Sequence, residues 1–357
     1  MRQPYGSGSA SGKAELITFL MRLLTIGYSL HRVTGVVRWL LAIGCILGLC
    51  YSPVGLANAK IIVINSSDAP PYQHTAAALA KHLAASGVLA KHELQILSLA
   101  QADTLAALEP GNVIVTLGSA AADYAIQQLP GVPVINSFIT HSAYQALHAP
   151  ALPDQAITAV FMDQPLARLI QLASLLKQDQ QPYKIGLLSQ ADVDQQLLTA
   201  ASVSDIEIHS ATLLLKQNPI KQIEPLMKHS DVVIVRPSTS LFNRLVAKLV
   251  LQLSMRYQTP VIGFSEKYAR AGALLSLYAS PDNIGQDTAQ LISEWLDAPT
   301  LDASALNRPP KGLPPARYGE HFSLAINARI AKKMSMTVDA QQLSTALQRM
   351  EAKNVGD

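Results

Sequence analysis

Cysteine is almost absent from the chain. Its 357 residues include two, Cys45 and Cys50, and both lie in the first 59 residues. Beyond residue 59 there is no thiol for a disulfide, a thiolate metal site or a cysteine nucleophile. Aromatic side chains make up 5% of the chain and charged ones 15%, and no stretch is strongly basic. A chain without a phosphate-neutralising cluster does not fit nucleic-acid binding. The recurrent catalytic signatures are missing too. There is no G-x-S-x-G elbow, no G-x-G-x-x-G after a strand, no G-x-x-x-x-G-K-[ST] and no H-E-x-x-H. The histidines are scattered, and His74 and His82, eight apart in one helical pattern, read as surface residues. Ser119, His141 and Asp68 are of triad type, but nothing in their spacing favours hydrolysis, which is kept as a minor alternative. No cofactor and no metal is expected.

Residues 1–59 do not look like a folded lobe. From Arg38 the chain reads RWLLAIGCILGLCYSPVGLANA: a basic start, an apolar stretch and a small-x-small close at Ala57-Asn58-Ala59. That is the layout of a secretory signal with cleavage before Lys60, and it places the protein in the periplasm. The competing reading is a retained anchor, because the apolar run and its neighbour AELITFLMRLL together are long enough to span a bilayer. The start codon is Met1 or Met21. Removing the segment takes away Arg2, Lys13, Arg22, Arg32 and Arg38 and one acid, Glu15, so the formal +3 of the chain falls to −1.

What remains alternates short apolar runs with longer helical patterns. The runs are KIIVINS (60–66), ELQILSL (93–99), NVIVTLG (112–118), PVINSFI (133–139) and AITAVFM (156–162). The series then starts again with YKIGLLS (183–189), IEIHSATL (206–213), DVVIVRP (231–237), PVIGFS (260–265) and ALLSLYA (273–279). Apolar strands separated by helices such as 75–86, 166–177 and 241–256 predict parallel sheets covered on both faces. The repeated order predicts two similar Rossmann-like α/β lobes. Lobe 1 is expected over 60–160 plus about 280–300, lobe 2 over 161–279 plus about 318–345, and 346–357 as a tail.

In doubly wound lobes a ligand sits beyond the carboxyl ends of the strands. The residues at those positions are Ser66, Ser67 and Asp68, then Gly118, Ser119 and Ala120, then Thr140 and His141 in the first series. In the second they are Ser189 and Gln190, then Ser238, Thr239 and Ser240, then Ser265 and Glu266. Ser66, Ser67 and Asp68 are also good N-caps for the helix that follows, so the corner "SSDAPPYQ" has two readings, cap and ligand contact. Ser119 likewise caps its own helix or lines a site. Tyr72, Phe138, Phe161, Phe264 and Tyr278 lie at or near strand ends. Tyr72 is the best placed to stack on a flat solute, and Phe138 and Phe161 read as core. Glu266 and Arg270 are spaced for a helical ion pair. Gly272 is read as a close approach where the chain crosses between lobes.

Several segments carry a resemblance. DVVIVRPSTSLFN, then TPVIGFSEKYARAGALLSLYASPDNIGQDTAQLISEWL, then HFSLAINARIAKKM resemble the C-terminal half of the ABC-transporter substrate-binding family that includes aromatic amino-acid binders. LGSAAADYAIQQLPGVPVINSFIT and SSDAPPYQHTAAALAKHL resemble its first lobe. The similarity covers about residues 60 to 338. It implies a type 1 periplasmic-binding-protein fold, with two lobes joined by crossing segments and closing on a small solute. It also implies ligand contacts at Gly118-Ser119-Ala120-Ala121, at Pro237-Ser238-Thr239-Ser240, at the first turn and after the fourth strand of the second lobe. The chain departs from the family in having no acid at Ser238-Thr239-Ser240, which leaves Asp68 or Glu266 as counter-charge for an amino group. The implied role is a monomeric solute-binding protein delivering its solute to an ABC permease in the inner membrane. A sensor signalling to a membrane receptor is the alternative.

Overall fold

The computed structural model describes residues 60–105, 111–148, 156–177, 182–189, 205–214, 217–237, 244–297 and 312–354. Every strand expected from the apolar runs is present. In the first series these are β1 (Lys60–Asn65), β2 (Glu93–Ser98), β3 (Val113–Leu117), β4 (Val134–Ile139) and β5 (Ile157–Phe161). The interleaved helices are α1 (Pro70–Ala85), α2 (Leu99–Ala102), α3 (Ser119–Gln128) and α4 (His141–His148). The second series runs α5 (Leu166–Ser174), β6 (Tyr183–Ser189), β7 (Ile206–Thr212), α6 (Pro219–His229), β8 (Val232–Val235), α7 (Arg244–Tyr257), β9 (Val261–Gly263), α8 (Glu266–Ala271) and β10 (Leu275–Tyr278). The chain ends with α9 (Pro281–Leu296), β11 (Arg317–Tyr318), β12 (Ser323–Ile326), α10 (Ala328–Lys333) and α11 (Ala340–Asn354).

The strands form two six-stranded sheets, ordered β11-β5-β4-β3-β1-β2 and β12-β10-β9-β8-β6-β7. All pairings are parallel except that of β12 with β10. Setting aside the added edge strand, each sheet has the doubly wound order 2-1-3-4-5, whose switch point falls between the first and third strands. Burial explains why the strands read as unbroken apolar runs. In β1, Ile61 and Val63 pack on one face with Leu79 and Leu83 of α1, while Ile62 and Ile64 pack on the other with Ala121 and Ala125 of α3. Each fully buried Ile or Leu of this kind contributes roughly 1.5–3 kcal/mol relative to exposure.

The chain passes between sheets three times, at residues 162–165, 279–280 and 319–322. After the second passage, α9 returns to the first sheet, where Leu291, Ile292 and Trp295 join its core. After the third, α10 and α11 cover the second sheet together with α5. Residues 346–354, read from sequence as part of a tail, continue α11, and Leu347 is fully buried. Gly272 is not at a crossing: it follows α8 with φ +137, and its surroundings are open to 3.8 Å. Its role is helix termination in a backbone region that favours glycine.

Candidate functional site at the strand ends

The opening corner departs from the simple cap reading. The residue preceding α1 is Ala69, and no side chain caps that helix. Pro70 and Pro71 bring no N–H to the first turn, so a side-chain cap would have little to bond. Ser67 accepts from the Ala69 amide at 3.3 Å, a local turn. Asp68 is exposed and caps nothing.

Ser66 does cap a helix, but a distant one. Its Oγ accepts from the backbone N–H of Ala121 at 2.9 Å, in the first turn of α3. The Ser66 amide donates to Leu117 O at 3.0 Å, joining the ends of β1 and β3 at the switch point. Between β3 and α3 stands Gly118, with φ +94 and ψ 166. A Cβ there would meet Ser66 Oγ at 2.7 Å and Tyr72 Cε1 at 2.7 Å. The tight corner therefore requires glycine twice over, for conformation and for space. Ser119 opens α3 without capping it, because the cap position belongs to Gly118. Ser119 and Ala120 are exposed, and among the described residues neither amide has a hydrogen-bond acceptor. Two donors and the positive end of a helix thus face outward at this corner.

Phe138, read from sequence as core, does pack half-buried against the first lobe's core, and it holds φ +53. The register between β4 and β5 shifts between Asn136 and Ile139, so Phe138 sits in an irregular strand end. Bulges re-aim side chains, and here the ring lies 4.8 Å from that of Tyr72. A bulky residue at positive φ is sustained only where its surroundings over-determine it. Beneath the corner, Asn65 is 6% exposed and its Oδ1 has no hydrogen-bond partner among the described residues. Buried polar atoms are rarely left so.

Further along the same edge, Thr140 Oγ1 accepts from Ala143 N at 3.3 Å and so caps α4. Asp163, in the first crossing segment, is buried and accepts from His141 N at 2.8 Å. Its other oxygen lies 3.8 Å from Nη2 of Arg236, the residue that follows β8 of the second sheet. Burial raises the Asp163 carboxyl above the usual range, against the opposing pull of the His141 amide and Arg236. Tyr318, at the end of β11, stacks near Phe161 and His141, at 5.2 and 5.7 Å. Burial first, and then the Asp163 charge, push its hydroxyl upward.

On the second lobe, Ser265 caps α8 by accepting from Tyr268 N at 3.2 Å. Glu266 pairs with Arg270 as the spacing predicts. Both line a cavity of about 610 Å³ with Tyr278, Asn327 and Arg329, between α8 and β12. Ser189 ends β6 opposite Thr212. Gln190, Ser238, Thr239 and Ser240 lie outside the described residues. Ser119, His141 and Asp68 stand at the ends of three different strands, and no hydrogen bond joins any two of them. Among the described residues no group of three or more His, Cys, Asp or Glu could hold a metal ion. Nor is any helix there long and apolar enough to cross a membrane.

Sequence reasoning missed Asn65, Asp163, Arg236 and Tyr318. For three of them the signal was the same: a polar or charged residue closing an apolar run, in IIVIN, VFMD and VVIVR.

No family model matches the sequence, and no curated protein matches it. Among solved structures, the chain is similar to the ligand-free, open form of a substrate-binding protein with adhesive properties from Clostridium difficile. The two are 14% identical, with a TM-score of 0.55 over 79% of this chain and 96% of the other. An ABC domain from Streptococcus pneumonia in complex with L-Trp aligns at 14% identity and TM-score 0.48, over 80% of this chain and 98% of that one. A conserved domain protein from Vibrio cholerae aligns at 17% and 0.49, with coverages of 80% and 98%. The first of these carries the comparison. With the paired 2-1-3-4-5 sheets, it shows that this chain has the two-lobed α/β fold of type 1 periplasmic binding proteins.

Proposed function

We propose that the protein is an exported solute-binding protein that holds a small solute between its lobes and delivers it to an ABC permease. The observation that carries this reading is the first sheet's switch point, where Gly118, Ser66 and the Tyr72–Phe138 ring pair form a tight polar and aromatic corner. A bulky residue at positive φ and unpaired backbone donors at a strand end recur at ligand sites, and they support this reading. The contacts offered by the first lobe are the hydroxyls of Ser66 and Ser67, the Asp68 carboxylate, the Tyr72 ring, Thr140, and the backbone of Gly118, Ser119 and Ala120. Those offered by the second are Ser189, Ser238, Thr239, Ser265 and Glu266. The solved relative is described as a substrate-binding protein, which agrees with this role.

Closure on the solute is the mechanism. Ligand held by both lobes stabilises the native state by mass action and reduces the separation of the lobes. The test is mass spectrometry of small molecules carried through purification, followed by thermal unfolding and X-ray scattering with and without the carried compound. A compound that raises the unfolding temperature and reduces the radius of gyration supports the reading. A preparation that carries nothing, and whose unfolding no small-molecule library shifts, refutes it.

A further inference from the structure

We propose that β12 is a docking edge for a second copy of this chain, joining two second-lobe sheets across a two-fold axis. The inference goes beyond the solute-binding reading and replaces the monomer that the resemblance implies. Each sheet has two edge strands, which are β2 and β11 in the first and β7 and β12 in the second. Unpaired edges invite association, and charged side chains are a usual protection against it. β2 carries Glu93, paired with Lys60; β7 carries Glu207, beside His209; β11 carries Arg317, paired with Glu294. β12 reads Ser-Leu-Ala-Ile and has neither a charged residue nor a proline.

The pairing of β12 leaves its free groups on the outside. Leu275 of β10 stands opposite Ile326, and Ser276 opposite Ala325, in antiparallel register. The Asn327 amide donates to Leu274 O at 2.8 Å, so by the alternation of such a ladder Asn327, Ala325 and Ser323 bond toward β10. Leu324 and Ile326 therefore turn their N–H and C=O away from it, and neither amide has an acceptor among the described residues. The cavity of about 610 Å³ runs along this edge, with Leu324, Ala325 and Ile326 on one side and Glu266 and Arg270 of α8 on the other.

The edge is self-complementary. A two-fold axis at Ala325, perpendicular to the sheet, sets Leu324 of each copy opposite Ile326 of the other. Each such pair exchanges two N–H···O bonds, which satisfies the outward groups of both copies. The charges select the same arrangement. Glu266 opens α8 at the carboxyl end of β9, the end of the cavity where Tyr278 stands opposite Ser323. Arg329 lies at the other end, beyond Ile326, is exposed, and has no salt bridge with any described residue. Antiparallel pairing carries Arg329 of each copy toward the Glu266 end of the other, and Glu266 meets Arg270 through Oε1 alone. An extended segment of an unrelated protein would find the same backbone groups but would have to bring its own acid for Arg329. The second copy already has one.

The test is sedimentation equilibrium of the purified protein from micromolar to near-millimolar concentration, with amide hydrogen exchange at both extremes. β12 is only four residues long, so the expected result is a reversible, concentration-dependent dimer. Peptides covering residues 323–327 should exchange more slowly in the concentrated sample. Arg329→Glu and Glu266→Lys each set like charges together twice, and each should weaken the dimer tenfold or more. An equimolar mixture of the two variants should recover it, because the mixed pair restores an acid opposite a base at both contacts. A wild type that is monomeric throughout, a dimer whose protection lies outside 323–327, a folded Arg329→Glu that associates like the wild type, or a mixture that stays monomeric overturns the assignment. Each of those results leaves the solute-binding reading standing, since that reading is tested by the carried compound and not by the state of association.

Discussion

Replacing Gly118 by alanine tests the corner at its tightest point. The backbone there, at φ +94 and ψ 166, lies in a region open essentially to glycine, and forcing another residue into it costs about 1–3 kcal/mol. The new methyl would also meet Ser66 Oγ and Tyr72 Cε1, each at 2.7 Å. If Ser66 turns away, its bond to the Ala121 amide is lost, for about 0.5–1.5 kcal/mol. Together these terms give about 2–4 kcal/mol. At about 2–4 °C per kcal/mol for a unit of this size, the unfolding midpoint should fall by about 4–16 °C. The control is Gly87→Ala, at φ +79 with nothing within 4 Å, which carries the backbone term alone, about 1 kcal/mol.

A convenient probe exists. Beyond residue 59 the chain has one tryptophan, Trp295, which is 2% exposed in the core of the first lobe. Its fluorescence reports the unfolding of the lobe that contains Gly118. Urea titration followed by Trp295 emission should show Gly118→Ala clearly less stable than Gly87→Ala, and Ser66→Ala should relieve part of the difference. Equal costs for the two glycine variants would refute the account of the corner.

Other outcomes follow from the same geometry. Asp68→Asn should leave stability unchanged, since Asp68 caps nothing, but should weaken a solute bearing a cationic group by about 1.5–3 kcal/mol, tenfold or more, in calorimetric titration; unchanged affinity would move the counter-charge to Glu266. Burial raises the Asp287 carboxyl above its ordinary value, against its bonds from His321 and Glu320. A raised folded-state pKa means a contribution fully present below the unfolded value near 3.8 and lost as pH rises through the folded one. Wild type should therefore gain stability relative to Asp287→Asn as pH falls from 7 to 4, in urea titrations at each pH; a constant difference would show that Asp287 does not titrate as argued. Protein recovered from the periplasm should begin at Lys60 by N-terminal sequencing, and intact chain in the membrane fraction would refute the signal-peptide reading.

The strands were readable because parallel strands buried on both faces need apolar residues at nearly every position, and β1, β3 and β8 have them. The edge strands β11 and β12 were not picked out among the apolar runs: β11 is only Arg317 and Tyr318, and β12 is half-buried throughout. The corner was legible in composition and illegible in wiring. "SSD" announces hydroxyls and a carboxylate, but Ser66 bonds an amide 55 residues away instead of the helix beside it. Local rules cannot choose between two helix starts when tertiary structure supplies the second. Phe138 was similarly hidden, because its alternation with Ile139 reads as a strand interior until the β5 register shows the shift.

The crossing segments show where binding energy can act. Arg168, buried in α5, donates to Gln164 at 2.7 Å and to Gly319 O at 3.0 Å, joining the first and third passages. Asp287 of α9 accepts from the amides of Glu320 and His321 and from the His321 ring at 2.6 Å. Asn283 of the same helix accepts from Ser280 and Ser323 at 2.8 and 2.7 Å, joining the second passage to the start of β12. These bonds are buried or partly buried, so breaking one and leaving its partner unsatisfied costs about 1–3 kcal/mol. The Arg236–Asp163 contact has no such bond to lose. Of the contacts named here it is the loosest, at 3.8 Å and without a hydrogen bond.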